Sequence, residues 1–388
     1  KDKVSFAAHR KAQRKINDEI ERAAVVFSRD HATSELILTL KNGFWLPICT
    51  DWRMRFYPGP VFSYQRDDSM KSRFVFRKKK ALQKIGYEQL MRQVGTFYGN
   101  GIDKLRISKR IDWVKDNHDK IVKTVENWKT DGFWLEADEP CQFLQNCKEY
   151  IDAVNSGNPH TFKSNVIIWN DASNSGLQHY SMERRDPVGA KDTNMTILPE
   201  DQVKSNCFYF KIRDAVEAKI KNTKWTNEYD IQAAKQWLKY GIKRGDVKTP
   251  AFTYFYNSKE WGMQDEVFDK TMKPLNEKMY SQKNFKHPFG DYKGSLNAAR
   301  FMGSVIYNLV GQYAPAADEA MKFILNITGI LSDFDINLKY VNPLGFPMLQ
   351  VYEQTQPKPR TVRIPMYDFT FKMRHPKGDH DHQLKVSS

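Results

Sequence analysis

From Pro199 to Ile327 the chain reads as helix after helix, and this block constrains the fold more than any other feature. Apolar residues recur there at three- and four-residue spacing over about 199–221, 227–243, 246–261, 264–280 and 295–327. On either side the period changes. Leu36–Leu40, the Lys41-Asn-Gly turn and Phe44–Cys49 read as strands joined by a turn, and Ser164–Asn170 as a short buried strand running into Asp171. A basic amphipathic helix at 5–27 and helices at about 86–98, 109–128 and 139–154 complete the first half. Beyond the block, Leu349–Tyr352 and Arg363–Phe371 turn β-like. Strands with helices, then a helical block, then a long hairpin predict an α+β protein with a helical subdomain.

Composition excludes several classes. With 388 residues, 40% of them hydrophobic, the chain can bury a sizeable core, so its net charge of +15 belongs to a folded basic protein. The longest uncharged run, Phe301–Ala317, holds Gly303, Ser304, Asn308, Gln312 and Pro315 and does not suit a bilayer span, so no membrane is expected. Cys49, Cys141, Cys147 and Cys207 make neither a CxxC pair nor a Cys/His finger, which points to reduced thiols. The start, Lys-Asp-Lys-Val-Ser-Phe, has no initiator Met and no signal core; it reads as a fragment or processed terminus, without export.

Three stretches can carry chemistry, and each has a plainer reading. In Asp171-Ala-Ser-Asn-Ser-Gly-Leu-Gln-His-Tyr180 a strand delivers a carboxylate and small residues follow, so Asp171 is either a metal ligand or the start of an Asx turn or helix cap. Arg244, Lys248 and Tyr256 stand at i, i+4 and i+12, a spacing that gives one helix face two cations for a triphosphate and a ring for a base. Alternatively, Pro250 marks the first turn, Arg244 and Asp246 lie in the loop before it, and Tyr256 faces the core. In Asp51-Trp-Arg-Met-Arg-Phe-Tyr57, strand alternation puts Arg53, Arg55 and Tyr57 on one face, for phosphates and bases or for a salt-bridged surface.

Taken in order, these stretches resemble the single-subunit RNA polymerases of bacteriophages and mitochondria, co-linearly from about residue 10 to 375. Asp51–Tyr57 is similar to the family's DWRGR-Y segment, with Met54 in place of Gly. Asp171–Tyr180 resembles the first metal-binding palm motif, DGS-x-(S/N)-G-(I/L)-QH. Arg244, Lys248 and Tyr256 match the fingers motif R-x3-K-x7-Y, with Asn257 where a Gly normally follows, and Ser258-Lys-Glu-Trp-Gly is closer to the phage branch. Glu136–Leu144, Asn297-Ala-Ala and Gly345–Tyr352 are minor matches.

The resemblance implies a right-hand polymerase fold, a palm sheet with helices and mostly helical fingers, incomplete at both ends. Residues 1–39 would be a basic helix at the end of the thumb or linker, 40–190 the palm, and 191–388 the fingers with a promoter-reading hairpin at about 349–373. It implies DNA-dependent RNA synthesis with Mg²⁺, held by Asp171 and the Ala172 carbonyl. Arg244 and Lys248 would take the triphosphate, Lys248 would also protonate the leaving pyrophosphate, and Tyr256 would stack at the insertion site. Gly176 stands where related DNA polymerases place a bulky Glu, which favours ribonucleotides. Arg53, Arg55 and Lys71 would contact hybrid or template, and Arg360 and Arg363 promoter DNA.

The family's second metal-binding Asp lies in a His-Asp pair downstream of Ser388; Asp379-His-Asp-His382 reads as a loop. A naturally split polymerase with a second chain, or a piece of a longer one, is the expectation, with this chain inactive by itself. Partners would be DNA template and promoter, transcript and nucleoside triphosphates, in the cytoplasm of a phage-infected bacterium. The rival is a non-catalytic nucleic-acid-binding subunit that keeps the palm and fingers as a docking surface.

Overall fold

The computed structural model of the chain describes residues 2–51, 53–282, 284–334, 336–350, 360–364 and 369–373. Helix α1 (Asp2–Leu38) runs through the position where a strand is expected at Leu36. The Thr33 and Ser34 hydroxyls donate back to the Arg29 and Asp30 carbonyls at 2.8 and 2.7 Å, so these residues are absorbed into the helix. No Gly or Pro interrupts before Gly43, whose φ of 70° makes the turn. Arg66 on the buried Asp30 (2.7 Å) and Arg73 on the Ser34 hydroxyl (2.9 Å) pin the last third of α1.

Strand β1 (Ile48–Thr50) pairs antiparallel with β2 (Phe56–Pro58), Thr50 opposite Phe56. The expected strand through Asp51–Tyr57 is therefore a hairpin turn. Arg53 and Arg55 lie in the turn and only Tyr57 lies on a strand, so alternation does not align the three.

Next come α2 (Asp68–Lys71), β3 (Val75–Ala81), α3 (Gln83–Tyr98), α4 (Ile107–Asp116), α5 (His118–Glu126), α6 (Pro140–Asn155) and β4 (Lys163–Val166). The helix expected over 109–128 breaks at Asn117, whose amide donates to the Trp113 carbonyl (2.8 Å) and closes α4. Leu90 and Val94 of α3, Val114 of α4, Ile121 of α5, and Phe143 and Cys147 of α6 are fully buried together. They follow the three- and four-residue spacing read from the sequence. Asp68 caps α6 from a distant part of the chain, accepting the Cys141 and Gln142 N–H groups at 2.6 and 2.9 Å. Strands β3 and β4 pair antiparallel with a register irregularity between Val75 and Lys80.

The helical block consists of α7 (Ser175–Arg184), α8 (Pro187–Asp192), α9 (Phe208–Asn222), α10 (Glu228–Tyr240), α11 (Arg244–Tyr254), α12 (Glu260–Val267), α13 (Lys273–Ser281), α14 (Tyr292–Tyr313) and α15 (Pro315–Asp333), with a π turn, Phe268–Met272, between α12 and α13. Three expected helices shorten or split. That over 199–221 starts at Phe208, that over 246–261 divides after Tyr254, and that over 295–327 divides at Ala314, ahead of Pro315. Buried Trp237 of α10 donates to the Ala298 carbonyl of α14 (2.9 Å) and tilts against Phe289, ring centroids 4.7 Å apart. Helices α12 and α14 cross so closely that a Cβ at Gly303 would lie 2.9 Å from the Gln264 Cα, so only glycine fits there.

Strands β5 (Leu338–Val341) and β6 (Pro347–Gln350) pair antiparallel, with Leu349 opposite Lys339. A second ladder joins β7 (Arg360–Ile364) and β8 (Phe369–Met373), Arg360 opposite Met373 and Arg363 opposite Thr370. The rest of the expected hairpin, 351–359 and 365–368, and the Asp379–His382 loop lie outside the described residues, as do the side chains of Arg360 and Arg363.

By its contacts the chain forms two compact units. Lys1–Gln178, Ala190–Phe208 and Pro274–His287 make the first, and His179–Gly189, Tyr209–Lys273 and Pro288–Ser388 the second. Among the described residues, no helix is long and apolar enough to cross a membrane.

Candidate active site

In the first unit, the buried strand expected at 164–170 is regular only to Val166. The chain then runs on as an arm without a ladder partner among the described residues, and side chains of α3 take over its backbone groups. Gln93, 1% exposed, donates to the Ile167 carbonyl (2.8 Å) and accepts the Trp169 N–H (2.6 Å). Arg92 donates to the Trp169 carbonyl (3.3 Å) and the Asn170 amide oxygen (2.7 Å), and burial lowers its pKa from the usual arginine value. At the end of this arm Asp171 is exposed, its carboxylate accepting the Ala172 N–H at 2.9 Å.

The cap role read in the motif falls to a residue other than Asp171. Asn174, at φ 64° and buried, accepts the Leu177 N–H (3.3 Å) and caps α7, so Asp171 is not the cap. Gly176 sits in the first turn of α7. Asn194 links the Ser173 hydroxyl (3.4 Å) to the Asn206 carbonyl (2.8 Å), and Gln178 donates to the Thr193 carbonyl (2.9 Å), which ties the loop to residues 193–206. Lys71 lies 5.4 Å from the Trp169 ring centroid, close to the Asp171 arm.

Around Asp51 the same unit builds a compact turn. Its carboxylate accepts the Arg53 and Arg55 N–H groups (2.9 and 3.0 Å), the Arg53 guanidinium (3.0 Å) and the Tyr57 hydroxyl (3.1 Å). Desolvation pulls its pKa upward, but the hydrogen bonds from Arg55, Arg53 and Tyr57 outweigh it and hold the carboxyl below the usual aspartate value. Met54, at φ 62°, occupies the left-handed conformation in which the related motif has Gly. Arg55 stays exposed, and Arg53 is drawn toward Asp51.

In the second unit, Arg244 is the first residue of α11, which settles the sequence alternative in favour of the helix. Lys248 follows one turn later and is exposed. Asp246, 6% exposed, builds the helix start, accepting the Lys243 N–H (2.8 Å) and the hydroxyl of Thr271 in the π turn (2.8 Å). Burial pushes the Asp246 carboxyl above its ordinary range despite these bonds. The Arg244 guanidinium lies 5.2 and 5.7 Å from the rings of Tyr209 and Phe210. Two cations at a helix N-terminus, whose own dipole is positive, make a strong anion-binding end.

Tyr256 does not continue that helix face. Helix α11 ends at Tyr254, and Tyr256 lies in the turn beyond, exposed and tilted against Phe252 at 5.0 Å. The core-facing tyrosine is Tyr254, whose hydroxyl donates to Asp318 at 2.5 Å. Burial, then the Asp318 carboxylate, pushes its pKa well up. Asn257 follows at φ 64°, again the left-handed geometry that explains a Gly in the related motif, and one that Asn adopts more easily than most residues.

Among the described residues, no three His, Cys, Asp or Glu side chains gather as a metal-ligand group. One exposed carboxylate with a neighbouring carbonyl fits part of a Mg²⁺ shell, since Mg²⁺ takes one or two carboxylates and fills its other positions with water and phosphate oxygens. Sequence reasoning missed Arg92, Gln93 and Asn146, and offered Asp246 a place in a loop rather than at the helix start. Asp246 was open to detection as an acidic residue three places after Lys243; Arg92 and Gln93 act on distant backbone and Asn146 on the distant Gln93 side chain, which left no local signal.

An exposed carboxylate on a small-residue loop and a cationic helix start are features of nucleotide-handling enzymes. A sequence profile of DNA-dependent RNA polymerases matches residues 80–386, and the chain belongs to that family. It is 27% identical over 379 residues to T7 RNA polymerase of Escherichia phage T7, covering 86% of this chain and 41% of that protein. The DNA-directed RNA polymerase of Enterobacteria phage K11 is 27% identical over 390 residues, with 89% and 41% covered. An organellar relative, DNA-directed RNA polymerase 2, chloroplastic/mitochondrial, of Arabidopsis thaliana, is 24% identical over 347 residues, with 87% and 33% covered. The chain thus spans less than half the length of these relatives.

Proposed function

We propose that this chain supplies the palm and fingers of a phage-type DNA-dependent RNA polymerase, with the palm at about 40–190 and the fingers, including a promoter-reading hairpin at about 349–373, from 191 onwards. The observation that carries this reading is the division of labour in the motif loop. Asn174 caps α7, while Asp171 is exposed at the end of an arm held by Arg92 and Gln93.

The reaction joins an RNA 3′-hydroxyl oxygen, whose proton passes to solvent, to the α-phosphorus of a ribonucleoside triphosphate, while the bond from that phosphorus to the β-phosphate oxygen breaks and pyrophosphate leaves. Asp171, with the Ala172 carbonyl, would hold Mg²⁺, which when bound neutralises charge on the attacking and leaving oxygens. Arg244 and Lys248 bind the triphosphate at the positive end of α11, and Lys248 donates a proton to the departing pyrophosphate oxygen. Tyr256, exposed beyond the helix end, stacks on the incoming base. Gly176 leaves room for a ribose 2′-hydroxyl. Arg53, Arg55 and Lys71 hold the hybrid or template through phosphates, and Arg360 and Arg363 hold promoter DNA, so binding falls steeply with salt.

The second catalytic carboxylate comes from polymerase residues beyond these 388, on the same polypeptide or on a second chain, and the 388 residues alone should not extend RNA. The site of action is the cytoplasm of a phage-infected bacterium. Met54 and Asn257 do not favour a non-catalytic binding subunit, because both keep the left-handed backbone that the related motifs fill with Gly. The test is ribonucleotide addition on a primed RNA–DNA scaffold with Mg²⁺, by this chain alone and with its polymerase complement. Asp171→Asn should lower the complemented rate by about a thousandfold or more with scaffold binding intact. Unchanged synthesis by that variant would overturn the reading.

A further inference from the structure

Between the end of β4 at Val166 and Asp171 the backbone has no neighbouring strand among the described residues, yet Ile167, Ile168 and Trp169 are all at least partly buried. A strand neighbour would accept and donate alternately along this edge. Gln93 does both with one amide. Its Nε2 gives one hydrogen to the Ile167 carbonyl and the other to the Asn146 Oδ1, each at 2.8 Å, and its Oε1 accepts the Trp169 N–H at 2.6 Å. Asn146 is itself fixed, donating to the Gln142 carbonyl at 2.7 Å. That bond settles the orientation of both amides, because a flipped Gln93 would turn N–H against the Trp169 N–H and oxygen against the Asn146 oxygen. Gln93 and Asn146 are each 1% exposed, so water does not substitute for a lost bond. Arg92 extends the clamp one step nearer the carboxylate, through Asn170.

We propose that Gln93, keyed by Asn146 and extended by Arg92, is a positioning residue that holds the arm through its backbone and sets where the Asp171 carboxylate meets the metal. The inference rests on Asp171 being the metal ligand. The clamp holds the arm from the core side and leaves the Asp171 end exposed. Displacements of about 1 Å at such a group are enough to cost rate by about a hundredfold.

The experiment pairs residue-resolved amide exchange on the chain with Mg²⁺-dependent RNA extension by the complemented polymerase. Gln93→Leu keeps the volume and removes every hydrogen bond of the amide. It should speed exchange at the Trp169 amide by about tenfold or more while Leu90 and Val94 in α3 keep their protection. It should also lower kcat by about tenfold to a hundredfold and raise the Mg²⁺ midpoint several-fold, with the nucleotide KM unchanged. If Gln93→Leu does not fold, Asn170→Ala removes only the exposed end of the clamp and should raise the Mg²⁺ midpoint by about twofold to threefold. Unchanged exchange at Trp169, or a lowered melting temperature with kcat and Mg²⁺ midpoint unmoved, would overturn the proposal. Both variants being silent beside an inactive Asp171→Asn would sink this proposal alone; an active Asp171→Asn would remove the reading on which it rests.

Discussion

The Asp171 arm and helix α11 carry opposite charges and are held by different kinds of contact. Beyond Val166 the arm has no regular structure, and its partners Arg92 and Gln93 lie 74 to 78 positions earlier in the chain. Helix α11 organises itself: Asp246 accepts the N–H of Lys243 three places before it, and Arg244 and Lys248 follow from helical spacing. Distant contacts reach it too, Thr271 on Asp246 from 25 positions away, Asp318 on Tyr254 from 64, and the Tyr209 and Phe210 rings beside Arg244. The first unit applies long-range contacts elsewhere too, since Asp68 caps α6 from 73 positions away. The exposed Asp171 draws its support from the core beneath it, whereas Lys248 takes its position from helical spacing.

The largest expected effect that separates the two comes from Lys248→Ala. This exposed side chain carries no structural contact among the described residues, so RNA extension by the complemented polymerase should fall by about a hundredfold while the urea midpoint stays put. Asp246→Ala should do the reverse, destabilising the second unit by about 2 kcal/mol through loss of the helix start and an orphaned Thr271 hydroxyl, measured by urea unfolding.

The pH dependence of Asp246 has a definite sign. Burial raises its folded pKa above the unfolded one, so the carboxyl's contribution is present below the unfolded pKa and is lost as pH rises through the folded value. Wild type should therefore lose stability relative to Asp246→Asn as pH rises from about 4, and a difference that stays constant with rising pH would refute the assignment.

Met54→Gly should stabilise the Asp51 turn by about 1 kcal/mol, since a left-handed methionine gives way to a residue without the Cβ penalty. The smallest effect is chemical. Burial and then the Asp68 carboxylate push the Cys141 thiol up to about 11. Exposed Cys49 should alkylate first, buried Cys147 last, and the Cys141 rate should climb about tenfold per pH unit through the mildly alkaline range.

Where helices lie was legible from periodicity, as α3, α6 and α10 show, because the side chains that repeat are the ones that end up buried. Their ends were less so. The Leu36 strand, the unbroken 109–128 helix and the 295–327 helix all failed at places where a side chain, Thr33, Ser34 or Asn117, or a proline, Pro315, decided the matter. Tyr256 was placed on a helix that stops at Tyr254, since a tyrosine whose hydroxyl finds Asp318 and one that faces solvent look alike in a sequence.

What the sequence by itself determined is the membership of the polymerase family, the helical block, and the identity of Asp171, Arg244 and Lys248 as charged groups at set spacings, because charge and period are local properties of the chain. Only the tertiary structure decided that Asn174 and not Asp171 caps α7, that Met54 and Asn257 stand in left-handed turns, and that the Gln93 amide accepts the Trp169 N–H. Those facts depend on which buried backbone groups lack a partner, and that is settled only when distant segments pack together.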